Sequence, residues 1–429
     1  MAILTVVKTI GSTGTFSTIA TWQAGAPADL TTAQKFAAGT FLVAAFIQGE
    51  SLTFTGSGAT GVLLDTDSIG AGSGTYVVFG ISSGTPAAGD LVTGGSSGAT
   101  CILSGVALNT GIIWQGQCQN QAFSSSTALC FMNGSTSSTV AYKHLTTVPG
   151  ASFRDNAGAQ SNALQFNSSN GASLTVTGSN QAVVAVNELY AHVSNLQLAG
   201  THATAARGLS ISTTGVIVDD IITEASNTSS TAGVGPLGVD IGTGNVIRNS
   251  LIVQRASSAD HILGIGSGSG GGTALYNCDF VAPSDLAVAP SHIVRSTLTG
   301  HTFENCALFC GAAGSALTIG VGGTFSFTTC ETDINTPPAG VTQVTYGNEF
   351  VSTANATRDF RLKLGASAID AGTTDTTNAA FDIVGTARPN GPAYDIGCWE
   401  FVQAPSPVPV QLSHPEGFFH GMGRMGLRG

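Results

Sequence analysis

Asp279 and Glu331 are the two acids in this 429-residue chain whose spacing could support joint chemistry. They fall in one phase of an internal repeat, two repeats apart, with Ala307 between them. If successive repeats stack as β-coils at roughly 4.8 Å each, the two side chains stand about 9–10 Å apart. That is the upper end of the geometry in which one carboxyl protonates a glycosidic oxygen while the other activates water. Asp219-Asp220 could hold calcium, but no third acid follows in the neighbouring repeats. Gly94-Gly95-Ser96-Ser97-Gly98 matches a nucleophile-elbow string, yet it lies in a hairpin pattern without a strand-to-helix context. No Lys follows the run Gly266-Ser267-Gly268-Ser269-Gly270-Gly271-Gly272, so it is not a phosphate loop. His261, His292 and His301 lack metal-ligand spacing. Two acids in a long repeat also align by chance. No catalytic residue is therefore assigned, and neither metal nor cofactor is expected.

The elements that would position such side chains are written in the repeat itself. It reads Val193-Ser194-Asn195-Leu196, Ile217-Val218-Asp219-Asp220, Ile247-Arg248-Asn249-Ser250, Leu275-Tyr276-Asn277-Cys278, Phe303-Glu304-Asn305-Cys306 and Phe327-Thr328-Thr329-Cys330. Asn195, Asp219, Asn249, Asn277, Asn305 and Thr329 are separated by 24, 30, 28, 28 and 24 positions. Such a period, with β-rich phrases and Gly/Ser/Thr-rich spacers, predicts an all-β parallel β-helix, in which residues of one phase form ladders along the rod. The apolar residue two places before the polar one should face the core. The polar residue should sit at a bend where a short side chain tolerates left-handed backbone. Stacked Asn249, Asn277 and Asn305 could bond to one another through their amides. The following position gives Cys278, Cys306 and Cys330, read as a stack of small core hydrophobes. Three sulfurs strung along an axis do not converge on a metal.

Composition narrows the class. Only 9% of residues are charged and 57 are Gly, while 42% are hydrophobic, which suits stacked strands and tight turns. The net charge of −11, without a long basic run, argues against a nucleic-acid partner. No apolar stretch reaches the roughly 18 residues of a membrane span. The opening Met1-Ala2-Ile3-Leu4-Thr5 lacks the features of a secretory signal. Eight cysteines without framework spacing fit reduced thiols and cytoplasmic synthesis. A large, weakly charged solenoid made in the cytoplasm without an export signal is expected in a bacteriophage virion, which leaves the host by lysis.

Four regions are expected: a strand and capping helix over 1–41, with Ser17 as helix cap and Ile19 and Trp22 on one face; a small β-module over 42–108; the β-helix with its closing block over 109–402; and a Pro-rich linker with a Gly-rich tail over 403–429. The β-module carries a duplicated hairpin, Gly49–Leu64 matching Gly89–Leu103. The Gly264–Thr273 run reads as a surface excursion between coils. Thr9-Ile10-Gly11-Ser12-Thr13-Gly14-Thr15-Phe16-Ser17-Thr18-Ile19-Ala20-Thr21-Trp22 resembles the opening of phage and bacterial-surface β-helix proteins. Asp359-Phe360-Arg361-Leu362, Ser367-Ala368-Ile369-Asp370-Ala371-Gly372, Asp382–Pro389 and Asp395-Ile396-Gly397-Cys398-Trp399-Glu400 resemble the end block of pectate-lyase-like β-helix proteins, with Cys398 where Ala is usual. The resemblance implies a right-handed parallel β-helix. The end block is expected to close the rod, with Arg388 bridging several of Asp370, Asp382, Asp395 and Glu400 and with Trp399 over the last coil.

The functional expectation is a non-enzymatic virion structural protein, an oligomer of identical chains attached by its terminal segments, as a head decoration ahead of a tail appendage. The alternative is a tailspike or tail fibre that binds or depolymerises host polysaccharide. The tail residues Phe418, Phe419, Met422, Arg424, Met425, Leu427 and Arg428 are expected to dock on a neighbouring subunit or another virion protein. Packing back along the chain's own β-helix is the other possibility for them.

Overall fold

The left-handed turn residues organise the rod. Asn195, Asp220, Asn249, Asn277, Asn305 and Thr329 all have φ between 46° and 60° in the computed structural model. The model describes residues 4–43, 45–66, 76–156, 158–202, 206–225, 236–240, 243–255, 261–265, 272–286, 289–290, 292–296, 299–311, 316–320 and 324–402. The docking-tail residues and most of the Gly264–Thr273 run lie outside them. At each turn the chain passes from a first sheet to a third. The backbone N–H of the turn residue donates to a carbonyl on the next coil, as from Asn249 to Tyr276, Asn277 to Glu304 and Asn305 to Thr328 at 2.9–3.0 Å.

One expectation is corrected here. Asp220, not Asp219, occupies the turn in its coil. Asp219 ends the strand Ile217–Asp219 and points outward, where it takes two 2.6 Å hydrogen bonds from Arg248. The core residue of that coil is Val218, aligned with Val193 before it and Ile247 after it. The position after the turn is Ile221, which is buried. The doubled Asp made a one-residue slip invisible in sequence, and such a slip exchanges inward and outward side chains.

Among the described residues three parallel sheets form the rod, a right-handed β-helix of about six turns. The first has nine strands, from Leu4–Ile10 and Ile112–Cys118 through Phe325–Thr328. The second has seven, from Cys130–Met132 to Ala316–Gly320, and the third nine, from Ala122–Ser125 to Val341–Gln343. In the first sheet Gly116, Leu145, Val193, Val218, Ile247, Leu275, Phe303 and Phe327 form one inward column. Cys278, Cys306 and Cys330 are buried in the core, and each thiol reaches the carbonyl two residues earlier at 3.2–3.4 Å. Ser250 bonds Arg248 in the same way at 2.7 Å, so hydroxyl and thiol are interchangeable there.

The N-terminal end is sealed. Thr18, not Ser17, caps the helix Ile19–Ala24 through a reciprocal box with Thr21. Ile19 and Trp22 are buried in the end of the rod. Gly116 leaves the room: a Cβ there would lie 2.5 Å from the Trp22 ring and 2.8 Å from Ile10.

The inserted module is a closed six-stranded barrel that begins at Gln34 and ends at Thr110, wider than the 42–108 expected. Gln34–Val43 pairs with strands on both sides, so it belongs to the barrel and not to the N-terminal segment. The two hairpin copies clasp each other. Glu50 of the first accepts hydrogen bonds from Ser96 and Ser97 of the second. Asp90 of the second accepts from Ser57 of the first. Burial opposes the charge on Glu50, but backbone N–H groups of Ile47 and Ser97 and the Ser97 hydroxyl outweigh it and lower its pKa.

Two predictions follow from this packing. Gly116→Ala should lower stability by about 1–3 kcal/mol through overpacking against Trp22, read as a lower urea midpoint with unchanged slope. Because Glu50 is held below its ordinary pKa of 4.5, its contribution is present above that pH and is lost as pH falls through the folded value. A Glu50→Gln protein should therefore lose less of its barrel stability on acidification, measured as thermal midpoint against pH. Parallel curves for both proteins would refute the clasp's electrostatic role.

Candidate functional site

The outward face of the first sheet carries a row of half-buried polar and aromatic groups. Strand alternation places Tyr142, His144 and Thr146 outward beside Lys143–Thr147, and His192 and Ser194 outward on His192–Ser194. The Tyr142 and His192 rings stack with centroids 4.0 Å apart, and His144 meets His192 edge-on at 5.7 Å. Burial pushes His144 down to about 4 and His192 down to about 3, the latter with help from His144 and Arg248. Both rings are neutral at pH 7.

A chain of hydrogen bonds runs across this face. Gln117 donates to Gln115 at 3.1 Å, and the Gln115 amide nitrogen meets His144 Nδ1 at 2.9 Å. His144 Nε2 meets the Ser194 hydroxyl at 2.9 Å, and Ser194 donates to Thr146 at 3.0 Å. With Nδ1 accepting, Nε2 carries the proton, so His144 donates to Ser194 and takes nothing from it. That is the wrong direction for a serine nucleophile and its base. The next positions along the rod are Asp219 and Arg248, then Tyr276 and Glu304.

Where this face meets the closing block there is a cavity of about 360 Å³ lined by Thr147, Ser152, Arg154, Asp155, Asn195 and Gly385, among others. Arg154 contacts Asp220 and reaches Asn195 Oδ1 at 3.2 Å. Among the described residues Asp220 Oδ1 has no hydrogen-bond partner. Burial raises Asp220 to about 8 against the pull of Arg154, with Asp219 and Asp382 adding to the rise. Asp220 is thus a buried carboxyl in contact with Arg154, which itself lines the polar cavity.

The acids singled out by spacing lie elsewhere. Asp279, Ala307 and Glu331 are in register on the outward side of the third sheet, but the closing block covers them. Asp279 accepts from the Cys398 backbone N–H at 3.1 Å and thiol at 3.0 Å, and burial raises it to about 7. Burial, then Glu349 and Asp279, raise Glu331 well above the usual carboxyl range. This pair meets protein, not solvent.

The closing block also differs from expectation. Arg388 pairs with Glu400 at 3.4 Å, but its other bonds go to the carbonyls of Asp395 and Gly397 and to Asn277. The carboxylates are held largely by backbone N–H groups: Asp382 by Val384, Thr386 and Glu400, Asp395 by Asp370 and Phe401, Asp370 by Ala393. Trp399 packs on the outward side of the third sheet with Phe360, Ile383 and Cys398, and so does not cover the last coil. The amides of the turn residues bond outward as well. Asn305 takes Thr373 N–H and gives to Thr373 C=O, both at 2.7 Å, where amide-to-amide stacking was expected. Sequence reasoning missed Tyr142, His144, Arg154, His192 and Arg248. The alternation around Lys143–Thr147 was a signal for the first two, but nothing local announced Arg154.

No protein-family model matches the chain, and no curated protein matches it. Among solved structures, the tailspike protein gp49 from Pseudomonas phage LKA1 is similar at 14% identity and a TM-score of 0.27, over 71% of this chain and 46% of that one. This chain thus spans about half the length of that tailspike. The catalytic domain of a GH87 α-1,3-glucanase in complex with tetrasaccharides is similar at 11% identity and a TM-score of 0.15, and the same domain with nigerose at 12% and 0.14. These likenesses assign no substrate to this chain. They do overturn the expectation that it is not an enzyme, since the matched structures are a tailspike and glucanase catalytic domains. The fold is a pectate-lyase-like parallel β-helix. Among the described residues no helix is long and apolar enough to cross a membrane.

A raised acid favours the native state at low pH: the stability that Asp220 contributes is full below its ordinary pKa of 3.8 and is lost as pH rises through about 8. Asp220→Asn should therefore flatten the fall in urea midpoint between pH 5 and pH 8. An unchanged slope would show that Asp220 is ionised in the folded protein throughout.

Proposed function

We propose that this protein is a virion-attached β-helix that binds host-surface polysaccharide along the outward face of its first sheet. The observation that carries the reading is the Tyr142–His192 ring pair beside a column in which successive coils contribute Ser194, Asp219, Arg248, Tyr276 and Glu304. Aromatic faces pack on the apolar faces of sugar rings, while amides, hydroxyls and paired Asp219–Arg248 satisfy sugar hydroxyls. Coils spaced roughly 4.8 Å apart offer an extended glycan a regular series of such groups. The adjoining cavity, lined by Ser152, Arg154, Asp155 and Asn195, offers further polar contacts for a bound glycan. The virion part of the proposal rests on the low charge and the two terminal sequence blocks. Its finer form is attachment to the head, and gold labelling of particles over tails alone would overturn that form.

Retention on immobilised host capsule or lipopolysaccharide, with release of reducing ends followed in parallel, tests the reading. Tyr142→Ala and Arg248→Ala should each weaken retention about ten-fold, equivalent to about 1.4 kcal/mol. Wild-type retention by both variants, or no retention by the parent, sinks the assignment.

A further inference from the structure

Three carboxyls meet between the third sheet and the segment that covers it. Asp279 and Glu331 share one register on the outward side of that sheet, to either side of Ala307. Glu349, at the end of the helix Tyr346–Glu349, stands against Glu331. Each of the three is 1% exposed, so water does not reach them to solvate a charge. Asp279 takes the Cys398 N–H at 3.1 Å and its thiol at 3.0 Å. Glu349 takes the Ser367 hydroxyl at 2.6 Å and the Ala368 N–H at 3.1 Å. Among the described residues Glu331 Oε1 has no hydrogen-bond partner. The other titratable groups facing the cluster are Cys330 from the sheet, Tyr346 from the helix and Asp382 from the closing block. None of these is a cation. Arg388 acts on Asp279, but it is committed to Glu400 at 3.4 Å and to the carbonyls of Asp395 and Gly397. Carboxyls packed together out of water do not all ionise, and a proton on one of them removes a repulsion and supplies a donor.

We propose that the closing block is locked onto the third sheet by protons held among Asp279, Glu331 and Glu349, and that this cover loosens on the alkaline side of neutrality while the rod stays folded. The packing allows the two to part separately. Leu251, Val281 and Phe309 meet Phe360 and Trp399 in an apolar cluster distinct from the one that fills the rod. Opening there is a local event that leaves the inner core whole. Burial raises Asp279 to about 7 and, with Glu349 and Asp279 adding to it, raises Glu331 well above the carboxyl range. What the two acids contribute is therefore full below their ordinary values of 3.8 and 4.5 and is lost as pH rises through the folded values, about 7 for Asp279. The lock sits on a different sheet from the glycan-binding face and does not rest on that assignment.

Cys398 reports the opening, because it is buried in the closing block against Asp279, whereas Cys278 is buried in the rod. The native full chain is alkylated with iodoacetamide between pH 6 and pH 8.5, and labelling of each cysteine is read by mass spectrometry. The ratio of Cys398 to Cys278 labelling cancels the ordinary rise in thiolate with pH, and it should increase about ten-fold across this range. Glu331→Gln keeps the shape of the side chain and has no charge to gain, so its ratio should stay within about two-fold. Asp279→Asn, which keeps an acceptor for the Cys398 N–H, should flatten the ratio in the same way. A flat ratio in the parent, an undiminished rise in both variants, or Cys278 labelled as fast as Cys398 because the whole rod opens, would each overturn the proposal.

Discussion

Everything in this rod depends on one backbone event, the left-handed turn between the first and third sheets. A residue at φ near 50° bends the chain from the first sheet into the third within one position and hands its N–H to the next coil. Asn and Asp tolerate this conformation better than most other residues, and Thr329 shows that stacking can impose it on a β-branched side chain. Once the turn is set, the residues two before and one after must face inward. The columns of Val, Ile, Leu and Phe on one side and of Ser and Cys on the other follow from that geometry.

The third sheet is covered twice. Its inward face lines the rod, and its outward face packs against the closing block through Ile222, Leu251, Val281 and Phe309 with Phe360, Ile383 and Trp399. This double burial traps Glu224, Asp279 and Glu331. Burial raises the pKa of all three: Glu224 although it is paired with Arg255 and Arg358, Asp279 although Cys398 donates to it, and Glu331 with Glu349 and Asp279 adding to the rise. The first sheet keeps the Asp219, Arg248, Tyr276 and Glu304 positions of its polar column half-exposed. Site and support are thus allotted to different sheets by where the C-terminal segment lies.

The period and its inward phase were legible because each coil spends one left-handed residue and one apolar column position per turn, and both leave marks in sequence. The mark is ambiguous where Asp219 and Asp220 adjoin: either could hold the turn, and only pairing with Arg248 and the burial of Ile221 distinguishes them. Arg388 was recognisable as a hub, but its partners were not. Carboxylates in a tight, irregular block are served by nearby backbone N–H groups, which carry no side-chain signature. Trp399 looked like a lid because it is large and late in the chain. It instead joins the apolar cluster on the outward face of the third sheet, to which four successive coils contribute.

By itself the sequence determined the solenoid, its turn chemistry, the duplicated hairpin and the presence of a closing segment, since all of these are local patterns repeated along the chain. Only the tertiary structure decided that the aligned acids Asp279 and Glu331 are covered, that Arg154 meets Asp220 across 66 residues of sequence, and that Tyr142 stacks on His192. Those outcomes depend on which outer face the returning chain covers. That choice is made by shape and burial between distant segments, and a one-dimensional period does not encode it.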